Sequence, residues 1–263
     1  MEFVKMEGLG NDFVVIAGPA DPSAAEIGAW CDRRHGIGAD GVLEVTPIDR
    51  SHINMRYWNA DGGVAEMCGN GLRCVARFAA DQGWVESPSF IVETAVGPRP
   101  VTIKGDGSVR VLLGVPTKGH GITLDGIEVH TVDMGNPHAI TWVSDTREAP
   151  VDAVGPSIET AKPFPEGTNV EFAHVVSPNR IELRVWERGV GETLACGTGA
   201  AATAYLANQQ GRVGSTVTME LRGGSLRVDL EDEGAWIEGP ANTVFKGSIE
   251  RGSVIDVSRQ SPL

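Results

Sequence analysis

Cys68 and Cys196 stand in matched settings, Met67-Cys68-Gly69-Asn70-Gly71 and Ala195-Cys196-Gly197-Thr198-Gly199, each leading into a helix-forming run. A thiol at a helix entrance meets unpaired backbone N–H groups and the positive end of the dipole, both of which favour an anion. Cysteine ordinarily ionises near pKa ~8.5 and helix N-termini lower that value, so either sulfur is expected to serve as a base near neutral pH. If both face one carbon, they suit stereoinversion: one thiolate removes a proton beside a carboxylate, and the opposite thiol returns one to the other face. The glycines would let backbone amides close on that carboxylate and stabilise the charge that develops on it. No cofactor is then obligatory, and none is expected. The plain alternative is a duplicated packing motif that repeats a cysteine without using it; Cys31 and Cys74, outside the pattern, read as small buried hydrophobes.

The matched cysteines belong to a longer repeat. Shifting the chain by 128 positions aligns Ile53, Arg56, Trp58, Gly63, Cys68, Gly69, Gly71, Ala76, Ala79, Gln82 and Gly83 with identical residues from Ile181 to Gly211, eleven identities in 31 positions without a gap. An internal duplication follows, and with 263 residues it favours two lobes, each able to bury its own core. The order of features repeats too. A Gly-Asn step (Gly10-Asn11; Gly135-Asn136) precedes each cysteine helix, and two hairpins follow it, closing near Leu113-Gly114 and Glu238-Gly239.

Short β-branched runs such as Phe13–Ile16, Phe90–Val92, Val109–Val111 and Val217–Met219 recur between turn signals and predict many short strands. Hairpin turns are expected at Asp106-Gly107, Gly223-Gly224 and Glu233-Gly234. Helices are fewer: Ser23 to Arg33, Gly71 to Gln82 ended by Gly83, Asp152 to Lys162, and Gly199 to Gln210 ended by Gly211. The class is α+β with strands dominating. Val115 to Gly121 has linker composition, which divides the chain into residues 1–116 and 117–247. The tail from about Ser248 alternates apolar and polar residues and is expected to return as a strand to the first lobe, giving that lobe 248–263 as well.

Net charge is −13 without any Lys/Arg run, so nucleic acid and anionic membranes are poor partners and a small molecule is the better one. No stretch approaches the ~18 apolar residues of a membrane span, and the N-terminus lacks the apolar segment of a signal peptide. Four cysteines in so long a chain suggest a reducing cytoplasm, and no C-x-x-C or His-Glu-x-x-His supports a metal. Gly197-Thr198-Gly199-Ala200-Ala201-Ala202 fits a loose dinucleotide fingerprint, but the first copy breaks it at Cys74 and the flanking hairpins do not form a βαβ unit. Polar residues near turn glycines, namely Asn11, Asn59, Asn136, His138, Asn169, Glu187 and Arg188, are candidates for gripping a substrate. Taken singly, the asparagines also read as turn or cap residues, Arg188 as a surface ion pair and His138 as a structural hydrogen-bonder.

Together, Gly8-Leu9-Gly10-Asn11-Asp12-Phe13, Asn59-Ala60-Asp61-Gly62, Glu66 to Cys74, Gly135-Asn136-Pro137-His138, Asn169-Val170, and Trp186-Glu187-Arg188-Gly189 ahead of Ala195 to Gly199 resemble the diaminopimelate epimerase family, in unbroken order from about Lys5 to Gly247. The resemblance implies two pseudo-symmetric domains, each a mainly antiparallel β structure wrapped around a central helix, with the active-site cleft between them. It implies cofactor-independent interconversion of LL- and meso-2,6-diaminopimelate on the route to lysine and cell-wall cross-links, by a protein that resembles homodimeric relatives. By position, Cys68 and Cys196 would be the acid/bases, and Gly69-Asn70 and Gly197-Thr198 would hold the reacting carboxylate. Asn11, Asn59, Asn136, Asn169, Glu187 and Arg188 would bind the rest of the substrate, with His138 and Glu187 tuning the sulfurs. A guanidinium at Arg188 matches the distal carboxylate with two parallel hydrogen bonds.

One position departs from the pattern: some members carry Gln where this chain has Gly41. Proline racemases and hydroxyproline epimerases resemble the same scaffold, but they usually show His after the first Cys-Gly and Asp-Arg-Ser-Pro before the second, where this chain has Asn70 and Glu192-Thr193-Leu194-Ala195. The phenazine-biosynthesis isomerase type lacks the cysteine pair. A non-catalytic binder of small anions is the remaining alternative.

Overall fold

The computed structural model describes residues 1–65 and 68–249; Glu66, Met67 and the tail residues Val254, Ile255 and Val257 lie outside them. In chain order the elements are β1 (Glu2–Gly8), β2 (Asn11–Ala17), α1 (Ala24–Cys31), β3 (Gly41–Pro47), β4 (His52–Asn59), β5 (Val64–Ala65), α2 (Gly69–Asp81), β6 (Ser89–Thr94) and β7 (Gly97–Ile103). There follow β8 (Val109–Gly114), β9 (Thr117–Leu124), β10 (Ile127–Asp133), β11 (Pro137–Trp142), α3 (Val151–Glu159), β12 (Asn169–Ser177) and β13 (Arg180–Glu187). The last are β14 (Gly191–Thr193), α4 (Gly197–Gln209), β15 (Thr216–Leu221), β16 (Gly224–Glu231), β17 (Gly234–Gly239) and β18 (Asn242–Ser248).

The chain forms two compact units. One comprises Met1–Gly8, Asp12–Pro100 and the stretch that starts at Ala241; the other comprises Leu9–Asn11 and Val101–Pro240. Both are assembled in the same order. In the first, β2 runs parallel to β3, β3 antiparallel to β4, β4 antiparallel to the short β5, and β4 parallel to β6 across the cysteine helix. In the second, β11 and β12, β12 and β13, β13 and β14, and β13 and β15 repeat those relations. The registers coincide as well: Phe13 faces Gly41 as His138 faces Asn169, and His52 faces Ile91 as Arg180 faces Thr218.

Within each unit the cysteine helix is central. α2 packs on β1, β3 and β4, and α4 on β10 to β13 and β15 to β17. Ten of the thirteen residues in each are buried, and in α4 most of these are Ala or Gly, side chains short enough for strands to approach from several sides. Both helices stop in the same way. Gly83 and Gly211 adopt φ of +68° and +69°, and the Trp84→Ala79 and Arg212→Ala207 backbone bonds close Schellman motifs, the left-handed ending that favours glycine. α1 begins at a capping box between Ser23 and Glu26, one residue inside the expected start.

One expectation changes. Val115 to Gly121 is not a linker: from Thr117 the chain forms strand β9, paired with β10, because Lys118, Ile122 and Leu124 fit a ladder that the Gly-rich composition obscures. A strand does return to the first unit, β18, antiparallel to β1 over Asn242 to Ser248, and beyond it the Ile249 N–H donates to the Met1 carbonyl at 2.8 Å; the tail expected to return from about Ser248 lies outside the described residues after Ile249. In addition, β8, the last strand of the first repeat, pairs with β17 inside the second unit.

The fully buried Leu206 measures the worth of the α4 contacts. Leu206→Ala is expected to lower unfolding free energy by about 2–5 kcal/mol in urea titrations, against ~0.5 or less for the exposed Val115→Ala.

Candidate active site

Each cysteine is the N-cap of its helix, and each sulfur accepts the N–H of the residue three positions on: Gly71 N at 3.5 Å from Cys68 Sγ, and Gly199 N at 3.4 Å from Cys196 Sγ. The extended backbone at Cys68 (φ −140°, ψ 122°) and Cys196 (φ −119°, ψ 115°) aims both side chains back over the first helical turn. A helix entrance of this kind is a favourable place for an anion beside the sulfur.

The surroundings of the two sulfurs differ. In the first unit Asn70 is buried in the first turn of α2, and Arg73, wholly buried, donates to Asn70 Oδ1 at 3.0 Å and to Gly69 O at 3.3 Å. Burial depresses the guanidinium pKa, while the thiols of Cys74 and Cys68 oppose that effect. A buried cation therefore sits within electrostatic reach of Cys68. Asn59 closes β4 at the surface and Asn11 opens β2.

In the second unit Cys196 is buried and polar groups form a chain behind it. Its Sγ lies 3.4 Å from Thr198 Oγ1, Asn136 Nδ2 donates to Thr198 Oγ1 at 3.4 Å, and the Asn136 amide lies 3.2 Å from His138 Nε2. His138 Nδ1 donates to the Glu171 carboxylate at 2.6 Å, both side chains having no exposure. Glu187 accepts a short hydrogen bond from Thr193 Oγ1 and interacts with the Cys196 thiol. Burial, and after it the charge of Glu171, raise the Glu187 pKa above the usual carboxylate range. Burial also pushes the Cys196 thiol well above its ordinary value, aided by the carboxylates of Glu187 and Glu171 and only partly countered by Thr198 and the Gly199 N–H. This corrects the expectation that a helix entrance makes both thiolates easier to form: at Cys196 the helix amides are outweighed by desolvation and two anions.

Asn169 Oδ1 accepts the Arg188 N–H at 3.1 Å and its Nδ2 donates to Pro137 O at 3.0 Å, so this asparagine ties β11 to the turn after β13. The Arg188 stem packs over Gly167, and among the described residues its exposed guanidinium has no acidic partner, Glu187 included. The surface ion pair weighed from sequence is therefore not formed. Cys31 and Cys74 are buried, and burial raises their pKa values to about 11 and about 12, as suits inert core thiols. Among the described residues no cluster of His, Cys, Asp or Glu is arranged to hold a metal ion, and no helix is long and apolar enough to cross a membrane.

The model of the diaminopimelate epimerase family matches residues 3–119 and 130–245. The chain belongs to the diaminopimelate epimerase family. It is 42% identical over 274 residues to the diaminopimelate epimerase of Alkalilimnicola ehrlichii, covering 95% of this chain and 98% of the relative. It is 40% identical over 280 residues to that of Heliobacterium modesticaldum, covering 95% and 99%. Among solved structures it shares its fold with a phenazine biosynthesis protein of the PhzF family from Bacillus anthracis (TM-score 0.74, 16% identity, 95% and 99% covered). A hydroxyproline epimerase from Agrobacterium vitis is similar too (TM-score 0.70, 16% identity, 94% and 91% covered). Epimerase family membership makes the chain an isomerase of two-domain, strand-rich fold.

Two residues of this family member were not singled out from sequence. A single charge on a helix or strand carries no sign of whether it is buried, and only the fold shows that Arg73 and Glu171 both are. Gly41 is closed to any larger side chain here, since a Cβ would lie 2.4 Å from Trp58 O and 2.7 Å from the Tyr57 ring.

The two third-position glycines should respond differently to a methyl group. At Gly71 a Cβ meets Leu43 at 3.2 Å, a flexible neighbour; at Gly199 it meets Glu171 Oε1 at 2.6 Å. In thermal melts Gly71→Ala is expected within ~1 kcal/mol of the parent, helped by helix propensity, and Gly199→Ala about 1–3 kcal/mol below it.

Proposed function

We propose that this chain interconverts LL- and meso-2,6-diaminopimelate by proton transfer between Cys68 and Cys196, without a cofactor, in the supply of lysine and cell-wall precursors. The observation that carries the reading is the sulfur-capped helix entrance present in both units. In the forward sense one sulfur, as thiolate, takes the α-proton; the C–H pair passes into the carboxylate, giving a planar enediolate-like carbanion. The other sulfur, as thiol, gives its proton to the opposite face, so the new C–H bond has inverted configuration. The two sulfurs then hold exchanged protonation states, and no atom or electron is left over.

Several features support this assignment. Backbone amides at a helix entrance are fixed donors at the place where charge develops, which is where electrostatic stabilisation is worth most. Two thiols supply both the acid and the base, so the α-proton needs no imine to labilise it. Arg188, with a guanidinium free of acidic partners among the described residues, suits the distal carboxylate, and Asn169 holds its backbone. Neutral asparagines at 11, 59 and 136 can donate and accept, which suits an ammonium and a carboxylate at one stereocentre.

Incubation of reduced protein with LL-diaminopimelate in heavy water is expected to place deuterium at the α-carbon as the meso form appears. No exchange, or exchange with L-proline in its place, would overturn the assignment. Cys68→Ala and Cys196→Ala are each expected to lose about 10²–10⁴-fold in turnover while retaining ligand affinity; a pure binder would have no turnover to lose. Arg188→Ala should act chiefly on KM, raising it about 10- to 100-fold, as removal of a charge-assisted bidentate contact does.

A further inference from the structure

The duplication supplies an internal control for the second unit. Phe13 and His138 hold equivalent register positions, opposite Gly41 and Asn169, and two residues further along the partner strands Leu43 and Glu171 correspond. Leu43 lies under the entrance of α2, where it is the atom group nearest a Cβ built on Gly71; Glu171 lies under the entrance of α4, nearest a Cβ built on Gly199. An apolar pair thus does the packing in one unit, and an ionisable pair occupies the same places in the other. All four side chains are fully buried.

Packing alone does not account for Glu171. A carboxylate out of water is unfavourable unless its oxygens are matched, and leucine fills the same space next door without that cost. Glu171 Oε1 is held by His138, while Oε2 has no hydrogen-bond partner among the described residues. A buried, half-satisfied carboxylate beside a reactive sulfur marks a functional rather than a structural demand.

We propose that Glu171 is a positioning residue for the reaction, fixing His138 behind the Asn136–Thr198 chain that ends on Cys196 and so setting, with Glu187, the protonation of that sulfur. The inference rests on the epimerase reading above. The groups that face Cys196 are Glu171 from β12, His138 and Asn136 from β11 and the turn before it, Glu187 from β13, and Thr198 with the Gly199 amide from α4. The carboxylate accepts from Nδ1 and orients the ring, so that Nε2 lies 3.2 Å from Asn136 Oδ1, a contact that is a hydrogen bond when Nε2 carries a proton as well. Two carboxylates then oppose a third negative charge on Cys196, as their effect on its thiol shows. In the first unit the place corresponding to Glu171 is held by Leu43, so the carboxylate is particular to the second sulfur's surroundings.

The test combines turnover with site-resolved alkylation. Iodoacetamide labelling from pH 6 to 11, read by mass spectrometry of the Cys68 and Cys196 peptides, gives each sulfur its own midpoint. In the parent protein Cys196 is expected to titrate above the ordinary ~8.5. In Glu171→Gln its midpoint should move down by about one pH unit with that of Cys68 unmoved, and kcat should fall about 10- to 100-fold with KM within ~3-fold, less than the loss of a general acid itself. Glu171→Asp should recover part of kcat. A Glu171→Gln protein with parental kcat, or with an unmoved Cys196 midpoint, would overturn the proposal. If Glu171→Gln fails the circular dichroism check for folding, the parent decides: a Cys196 midpoint at or below ~8.5 overturns it and one clearly above supports it. Absence of α-deuterium exchange by the parent protein would instead overturn the epimerase reading itself.

Discussion

The bond on which the structure turns is the one between a cysteine sulfur and the amide three residues further on. It makes Cys68 and Cys196 the caps of their helices, and so fixes the sulfurs to the buried central helix of each unit. A thiol on a loop would need its own scaffold; here the scaffold is a helix enclosed by strands, closed at its far end by a Schellman glycine. The requirement for small residues in α4, the third-position glycines and the strand order around each helix all follow from setting a cap inside a core.

Duplication sets the frame, and departures from it give the chemistry direction. Where both units keep a residue, as at the Cys cap and the Gly that donates to it, the role is shared. Where they differ, at Leu43 against Glu171, Phe13 against His138 and Asn59 against Glu187, the second unit has gained ionisable groups, all close to its sulfur. Arg73 against Ala201 runs the other way, giving the first unit a buried cation. The two sulfurs therefore sit in different electrostatic surroundings although their helix caps are alike.

Much of this was legible in the sequence. The 128-residue shift located the matched helices, and Gly83 and Gly211 marked their ends, because the periodic run, the cap and the left-handed ending are local rules that tertiary context seldom overrides. The strand assignments at Phe13, Phe90, Val109 and Val217 are seen for the same reason. What was hidden depends on three-dimensional neighbours. Val115 to Gly121 looked like a linker because glycines weaken a strand signal that pairing with β10 restores. Glu171 could not be told from a solvent-facing alternation, and the shift of Cys196 away from easy ionisation came first from burial and then from carboxylates on two other strands. Sequence gave the helix end its positive field but not the anions set against it.

The most direct test is a crystal structure of the protein with a diaminopimelate analogue whose α-hydrogen is replaced, so that it binds without turning over. Both sulfurs should then lie on opposite faces of the α-carbon, each at about the 3–3.5 Å of a reacting pair, with the carboxylate on the first-turn amides of α2 and α4. An analogue bound with either sulfur out of reach of that carbon, or with both on one face, would contradict the account.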